Sequence, residues 1–260
     1  MIQIDLIDKY FENVQALKNI TLKIDAGQLC GLLGLNGAGK STLFNMLMGI
    51  LEPDSGSFRI AGQPITFGET GYKQIVGYAP ENPLLYDYLT GAEFLQFITA
   101  ARKVPQVKRR KEIDRWLDFF NLTSKRNDLI KNYSQGMRRK MSICAALVGE
   151  PKILFLDEAT NGLDPESSYQ FKSYLKQFCT AGGTVLFSSH IIETVEHLCD
   201  RIIILHQGKI LKELIRQEWE DLRAQNSSLE QLFIGLVKDE RDELPAKAWS
   251  TQEKATVKPE

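Results

Sequence analysis

A chain of 260 residues, 43% of them hydrophobic, can bury one large core or two lobes. Its formal net charge of -1 provides no overall basic field of the kind that argues for a nucleic-acid partner. Its four cysteines, Cys30, Cys144, Cys179 and Cys199, form no C-x-x-C pair and stand among apolar neighbours, which suits reduced core thiols in a cytosolic compartment.

The opening Met1-Ile2-Gln3-Ile4-Asp5 lacks the basic start of a signal peptide, and no apolar stretch is long enough to cross a bilayer. Residues 2 to 7 alternate and pause at Asp8-Lys9-Tyr10-Phe11, and Ala16 to Ile24 resumes as a strand ending at Asp25-Ala26-Gly27. Such early strands predict a small antiparallel layer beside a main sheet.

The next segment sets the chemistry. Leu29 to Leu33 is an apolar run of buried-strand length, followed by Gly34-Leu35-Asn36-Gly37-Ala38-Gly39-Lys40-Ser41 and Thr42. The pattern is G-x-x-x-x-G-K-[ST], a phosphate-binding P-loop, and Leu43, Met46, Leu47 and Ile50 then fall on one helical face. The glycines and Ala38 let the backbone curl round a phosphate with its N–H groups pointing inward, and the following helix adds the positive end of its dipole. Lys40 reaches the β- and γ-phosphates, and the Ser41 hydroxyl is placed to ligate magnesium. With a phosphate site in the chain, Tyr10 and Phe11 acquire two readings, a ring stacked on a nucleotide base or ordinary edge packing.

Glu52-Pro53-Asp54-Ser55-Gly56 is a turn, Ser57 to Ile60 a strand, and Ile75 to Ala79 another, ending at Pro80-Glu81-Asn82-Pro83. From about 82 to 148 the pattern is helical, which predicts an inserted lobe. Thr90-x-x-Glu93 is a capping box opening a helix with Phe94, Leu95, Phe97, Ile98 and Ala101 apolar. Ile113, Trp116, Leu117 and Phe120 mark a second helix. The basic cluster of Arg102, Lys103 and residues 108–111 between them reads as solvated surface. Ser134, in Tyr133-Ser134-Gln135-Gly136-Met137, caps a third helix, and the amides and hydroxyl at that start are a second phosphate-contact candidate.

Sheet character returns at Lys152 to Glu158, an apolar run closing in two carboxylates at the strand end where ligands sit in open α/β sheets. Asp157 is assigned to the coordination sphere of magnesium and Glu158 to orienting or deprotonating water. Asp164-Pro165-Glu166 starts a helix with Phe171, Tyr174, Leu175 and Phe178 on one face. Thr184 to Ser189 is a strand with His190 just past its end, within reach of a γ-phosphate, and Ile202 to Leu205 is a further strand. Ser228-x-x-Gln231 caps an amphipathic tail helix, and the residues after Lys238 are polar and expected to be poorly ordered.

Together these motifs make the chain resemble the ATP-binding cassette family, specifically the nucleotide-binding subunit of an ABC transporter, from about residue 2 to 236. The P-loop matches Walker A, Ile153 to Glu158 matches Walker B with its glutamate, and Asn161-Gly162-Leu163-Asp164 matches the D-loop. His190 matches the switch histidine and Tyr10 the aromatic that stacks on adenine. The signature departs from Leu-Ser-Gly-Gly-Gln but keeps Ser134 and Gly136, and Glu81 stands where the family carries a Q-loop glutamine.

The resemblance implies an α/β P-loop NTPase with a mainly parallel sheet, a small antiparallel β layer and an inserted α-helical subdomain. It implies an ATP-binding domain over 1–220, an extension over 221–260, and ATP and Mg2+ as ligands. It further implies ATP hydrolysis with Glu158, His190 and Lys40 catalytic, and a dimer with a second such subunit, identical or not. In that dimer each ATP lies between one P-loop and the Ser134 and Gly136 of the other subunit. The remaining implications are a separate transmembrane permease coupled through the Glu81 to Tyr88 loop and the helical lobe, a place on the cytoplasmic face of the cell membrane, and export in view of the Tyr-Ser-x-Gly-Met signature. Pro83 to Tyr86 read either as much of the apolar docking surface or, for some of them, as core packing. The competing expectation is a soluble ATPase of the same family acting on nucleic acid or ribosomes. Such relatives usually carry two cassettes or a long coiled coil, and neither is seen in this sequence.

Overall fold

A computed structural model describes residues 1–242, with side chains through Lys238; the polar tail expected beyond lies outside the described residues. The chain divides into a unit from Met1 to Arg216 and a second from Gln217 onward. In chain order, β1 (Ile2–Phe11), β2 (Val14–Ile24) and β3 (Leu29–Leu33) lead to α1 (Lys40–Leu47), then β4 (Ser55–Ile60), β5 (Gln63–Pro64) and β6 (Val76–Ala79). Three helices follow, α2 (Gly91–Ala101), α3 (Gln106–Phe119) and α4 (Gln135–Leu147). The first unit closes with β7 (Ile153–Asp157), α5 (Pro165–Thr180), β8 (Thr184–Ser189), α6 (Ile192–Leu198), β9 (Arg201–His206) and β10 (Lys209–Ile215). Beyond it come α7 (Arg216–Ala224) and α8 (Leu229–Asp242).

The apolar runs form a six-stranded sheet in the order β10-β9-β3-β8-β7-β6, parallel throughout except for the edge strand β10. Every residue of β3, β7 and β8 is buried, as a sheet covered on both faces requires. A second, antiparallel sheet has the order β2-β1-β4-β5. Between the two lies α1, whose Leu43, Phe44, Met46 and Leu47 join Ile4, Leu22 and Phe58 of the small sheet to Cys30, Leu32, Phe155 and Leu186 of the large one. This is a P-loop NTPase fold with parallel and antiparallel sheets and a helical subdomain.

Sheet order is what builds the site. Because β8 lies between β3 and β7, Leu33 pairs with Ser189 and Asp157 with Ser188. The segments that leave these strands, the P-loop, Glu158 and His190, therefore emerge side by side at one edge.

In the helical lobe, Thr90 Oγ1 accepts from Glu93 N while Glu93 accepts from Thr90 N, the reciprocal cap read from the sequence. Ile113, Trp116, Leu117 and Phe120 are all buried, and Trp116 meets Tyr174 of α5 edge-on at 5.2 Å. Gly77 lets α4 approach β6: a Cβ there would stand 2.1 Å from the Ala146 carbonyl oxygen. Among the described residues no helix is long and apolar enough to cross a membrane.

Two local expectations are corrected. Strand β1 does not pause at Asp8 but runs to Phe11, its two-residue period hidden by bulges and by Leu6 at φ 51°. Ile50 leaves the face of α1, because that helix ends at Leu47 and Gly49 turns the chain at φ 59°, putting Ile50 58% exposed. Phe97, one of the apolar residues of α2, lies on the outer face of that helix. In the second unit, Ser228 and Gln231 exchange backbone-to-side-chain hydrogen bonds of 3.1 Å each and open α8, with α7 as an additional helix before it.

Candidate active site

The P-loop begins where β3 ends and closes on Gly39, the N-cap of α1, held at φ 108°. Residues 36–42, with Ala16, Glu81 and Glu158, line a cavity of about 380 Å³. Lys40 lines it while only 6% exposed, its Nζ donating to the carbonyl oxygens of Gly34 (2.7 Å) and Leu35 (3.2 Å). Residue types and backbone amides thus converge on a concave surface suited to phosphates.

Opposite stand the two carboxylates of the β7 end, Asp157 and Glu158, exposed to only 1% and 3%. The Ser188 hydroxyl of β8 donates to Asp157 Oδ1 at 2.5 Å and accepts from Glu158 N at 3.0 Å, so one side chain fixes both acids. Glu158 breaks the strand at φ 50°, which swings its carboxylate towards the P-loop. Its Oε1 lies 3.5 Å from Lys40 Nζ and 3.0 Å from His190 Nδ1, and its Oε2 accepts from Asn161 Nδ2 at 2.9 Å. Burying such a group is tolerable only with this much compensation. A carboxylate so held is chemically a proton acceptor or an orienter of water beside bound phosphate.

The structure therefore brings Lys40, Glu158 and His190 into one contact network and adds Asp157 through Ser188. Asn36, Gly37, Ala38, Gly39, Ser41, Thr42 and Glu81 join them on the cavity wall. Tyr10, Ser134 and Gly136 do not line that cavity. Tyr10 stands half-exposed at the end of β1, its N–H donating to Asp54 Oδ2 at 2.6 Å. Ser134 caps α4, accepting from Met137 N, and a Cβ on Gly136 would lie 3.2 Å from the Gly162 carbonyl oxygen. Ser41 and Asp157 offer a hydroxyl and a carboxylate, the hard oxygen donors that magnesium takes.

The sequence did not point to Ser188 or to the contact of Asn161 with Glu158. Both are polar residues flanking a strand end, and only the order of β3, β8 and β7 makes Ser188 a bridge. A polar residue inside an otherwise apolar buried strand was the available signal.

Asp164 ties the segment after Glu158 to α4. Its Oδ2 lies 2.6 Å from Lys140 Nζ and its Oδ1 accepts from Ser167 N at 2.9 Å. The Lys140 hydrogen bond, followed by that from Ser167, holds the Asp164 carboxyl well below the usual carboxylate range. A depressed folded value means that this stability is fully present above about pH 4 and is lost as the pH falls further. Asp164→Asn keeps an N-cap acceptor but loses the charge. We expect it to cost about 0.5–1 kcal/mol at pH 7, discounted for the exposure of the pair, with the gap to wild type closing below about pH 4. Urea unfolding across that range measures it.

The model of the family described as ABC transporter matches residues 17–161. An uncharacterized ABC transporter ATP-binding protein of Nostoc sp. (strain PCC 7120 / SAG 25.82 / UTEX 2576), all4389, is 40% identical over 77% of this chain and 60% of its own length. The linearmycin resistance ATP-binding protein LnrL of Bacillus subtilis (strain 168) is 36% identical over 81% of this chain and 68% of its own. This chain thus spans about 60% of the length of the Nostoc protein. Among solved structures, the dimeric post-hydrolysis state of the ATP-binding cassette MJ0796 bound to ADP and Pi superposes with a TM-score of 0.75 at 25% identity, covering 83% of this chain and 99% of that one. With the P-loop, the paired carboxylates and the histidine on one edge of this sheet, the chain belongs to the ABC transporter family as one of its ATP-binding proteins.

Proposed function

We propose that this chain is the ATP-hydrolysing subunit of an ABC exporter, dimerising around ATP to drive a separate membrane permease from the cytoplasmic face of the cell membrane. The observation that carries the reading is the division of the site. Lys40, Glu158 and His190 share one network, while Ser134 and Gly136 lie off its cavity on the same chain. A second subunit, identical or not, brings its own Ser134 and Gly136 to the open side of the P-loop, and its partner does the same in return. The solved dimeric cassette with ADP and Pi supports this arrangement by likeness.

In this reading the P-loop amides and Lys40 hold the phosphates, Tyr10 stacks on the base, and His190 donates to the γ-phosphate. Glu158 orients water and takes its proton. Ser41 and Asp157 are the residues that would hold a magnesium ion, which supplies charge neutralisation at the phosphate oxygens. ATP acts as the closing ligand and its hydrolysis reopens the dimer.

The docking surface for the permease follows β6. Leu84 is 83% and Tyr86 56% exposed, Pro83 and Leu85 adjoin them, and Tyr86 meets the exposed Phe97 edge-on at 5.5 Å. An apolar patch of that kind marks an interface. The name of the linearmycin resistance relative supports export. Affinity purification of the tagged chain from gently solubilised native membranes tests the reading. Recovery of a polytopic membrane protein is expected. Recovery only of ribosomes or DNA-bound proteins, with ATP hydrolysis intact, overturns it in favour of an ATPase acting on those partners.

A further inference from the structure

The phosphate cavity carries an acid that the network around Lys40 does not absorb. Glu81 lines it alongside Glu158, yet Lys40 lies against Glu158, and among the described residues no cation comes within 4.0 Å of the Glu81 carboxylate. An anionic ligand entering this cavity meets an uncompensated negative wall unless a cation acts across a short distance.

Behind the wall is a second cavity of about 230 Å³, lined by Glu81, Asn82, Pro83, Asn161 and three residues of α4, Gln135, Arg138 and Arg139, with Gly162 completing it. Of its two arginines, Arg138 is already committed, its Nη1 donating to Asp87 Oδ1 at 2.6 Å. Arg139 instead donates to a neutral group, the Pro80 carbonyl oxygen, at 2.9 Å, so among the described residues its charge answers no paired acid. Burial lowers the Arg139 guanidinium from its ordinary value, and the carboxylates that oppose this shift are Glu81 first, then Asp157 and Glu158. A guanidinium keeps its charge in such surroundings.

We infer that Arg139 is a positioning residue for nucleotide binding, holding the chain after β6 through the Pro80 carbonyl and offsetting the Glu81 charge so that ATP phosphates can enter. The inference rests on the reading of the P-loop cavity as the ATP site. It also makes α4, whose first turn carries Ser134 and Gly136, a direct electrostatic neighbour of the phosphate wall.

The test is a double-mutant cycle on the full chain, with ATP affinity in the presence of magnesium measured by titration calorimetry. Arg139→Gln, which retains an amide donor for Pro80 but no charge, should weaken ATP binding about five- to tenfold. With Glu81→Gln in the same chain the loss should shrink to under about twofold, because the charge that needed offsetting is gone. Equal weakening with and without Glu81 would reduce Arg139 to a structural tie and overturn the inference, as would an unchanged affinity in Arg139→Gln. Should Arg139→Gln fail to fold, Glu81→Gln alone decides. It alters an exposed side chain and should tighten ATP binding at least about twofold by removing the negative charge that opposes the phosphates; an equal or weaker affinity overturns the inference. A wild-type chain that binds no ATP would instead remove the reading on which the inference rests.

Discussion

Glu158→Gln is expected to lower the rate of ATP hydrolysis about 10²–10⁴-fold while ATP binding is kept. The loss follows from chemistry, since the amide that replaces the carboxylate cannot accept a proton from water at neutral pH. Retention of binding follows from geometry. Lys40 keeps the Gly34 and Leu35 carbonyls when its 3.5 Å contact with Glu158 loses its charge, so the ammonium is not left stranded. Removing a negative group beside the phosphates also favours the nucleotide. Turnover at the wild-type rate, measured as phosphate release, would sink the role given to Glu158.

Gly39→Ala should destabilise the protein by about 2 kcal/mol or more and abolish ATP binding. Two independent costs meet at this residue. Its φ of 108° lies where a side chain is strained, and a Cβ would stand 2.8 Å from both the Ala16 carbonyl oxygen and Leu17 Cδ2. Leu17 is fully buried and the carbonyl belongs to β2, so neither can give way without moving the small sheet. Gly37 provides the control. Its φ of 79° lies nearer the left-handed region that L residues can enter, and nothing lies within 4 Å of a Cβ there, so Gly37→Ala should cost only about 1 kcal/mol. Urea unfolding and calorimetric titration of both variants check the contrast, and equal losses in the two would show that the collision with β2 does not matter.

Most local signals in the sequence carry through to the structure. The P-loop between strand and helix, the caps at Thr90, Ser134, Asp164 and Ser228, and the buried run of β7 each depend on residues within one turn or strand, where spacing and chemistry are sufficient. What escaped was set by pairing across long separations. The bulges of β1 disguise its period, because register with β2 and β4 decides which residues face the core. Ser188 becomes a bridge between Asp157 and Glu158 only when β8 is placed beside β7, 31 residues from Asp157 in sequence. Arg139 and Pro80, 59 residues apart, meet only because α4 packs on β6. Phe97 fits the apolar pattern of α2 but faces outward beside Tyr86, where a docking surface and a core position look alike in sequence.

The central claim is that two chains share each ATP, and light scattering coupled to size-exclusion chromatography on the Glu158→Gln chain tests it most directly. With ATP and magnesium the variant should shift from monomer to dimer, and Ser134→Arg added to it should abolish the shift while leaving ATP binding by each monomer intact. A Glu158→Gln chain that binds ATP yet remains monomeric at concentrations well above its ATP Kd would contradict the shared site.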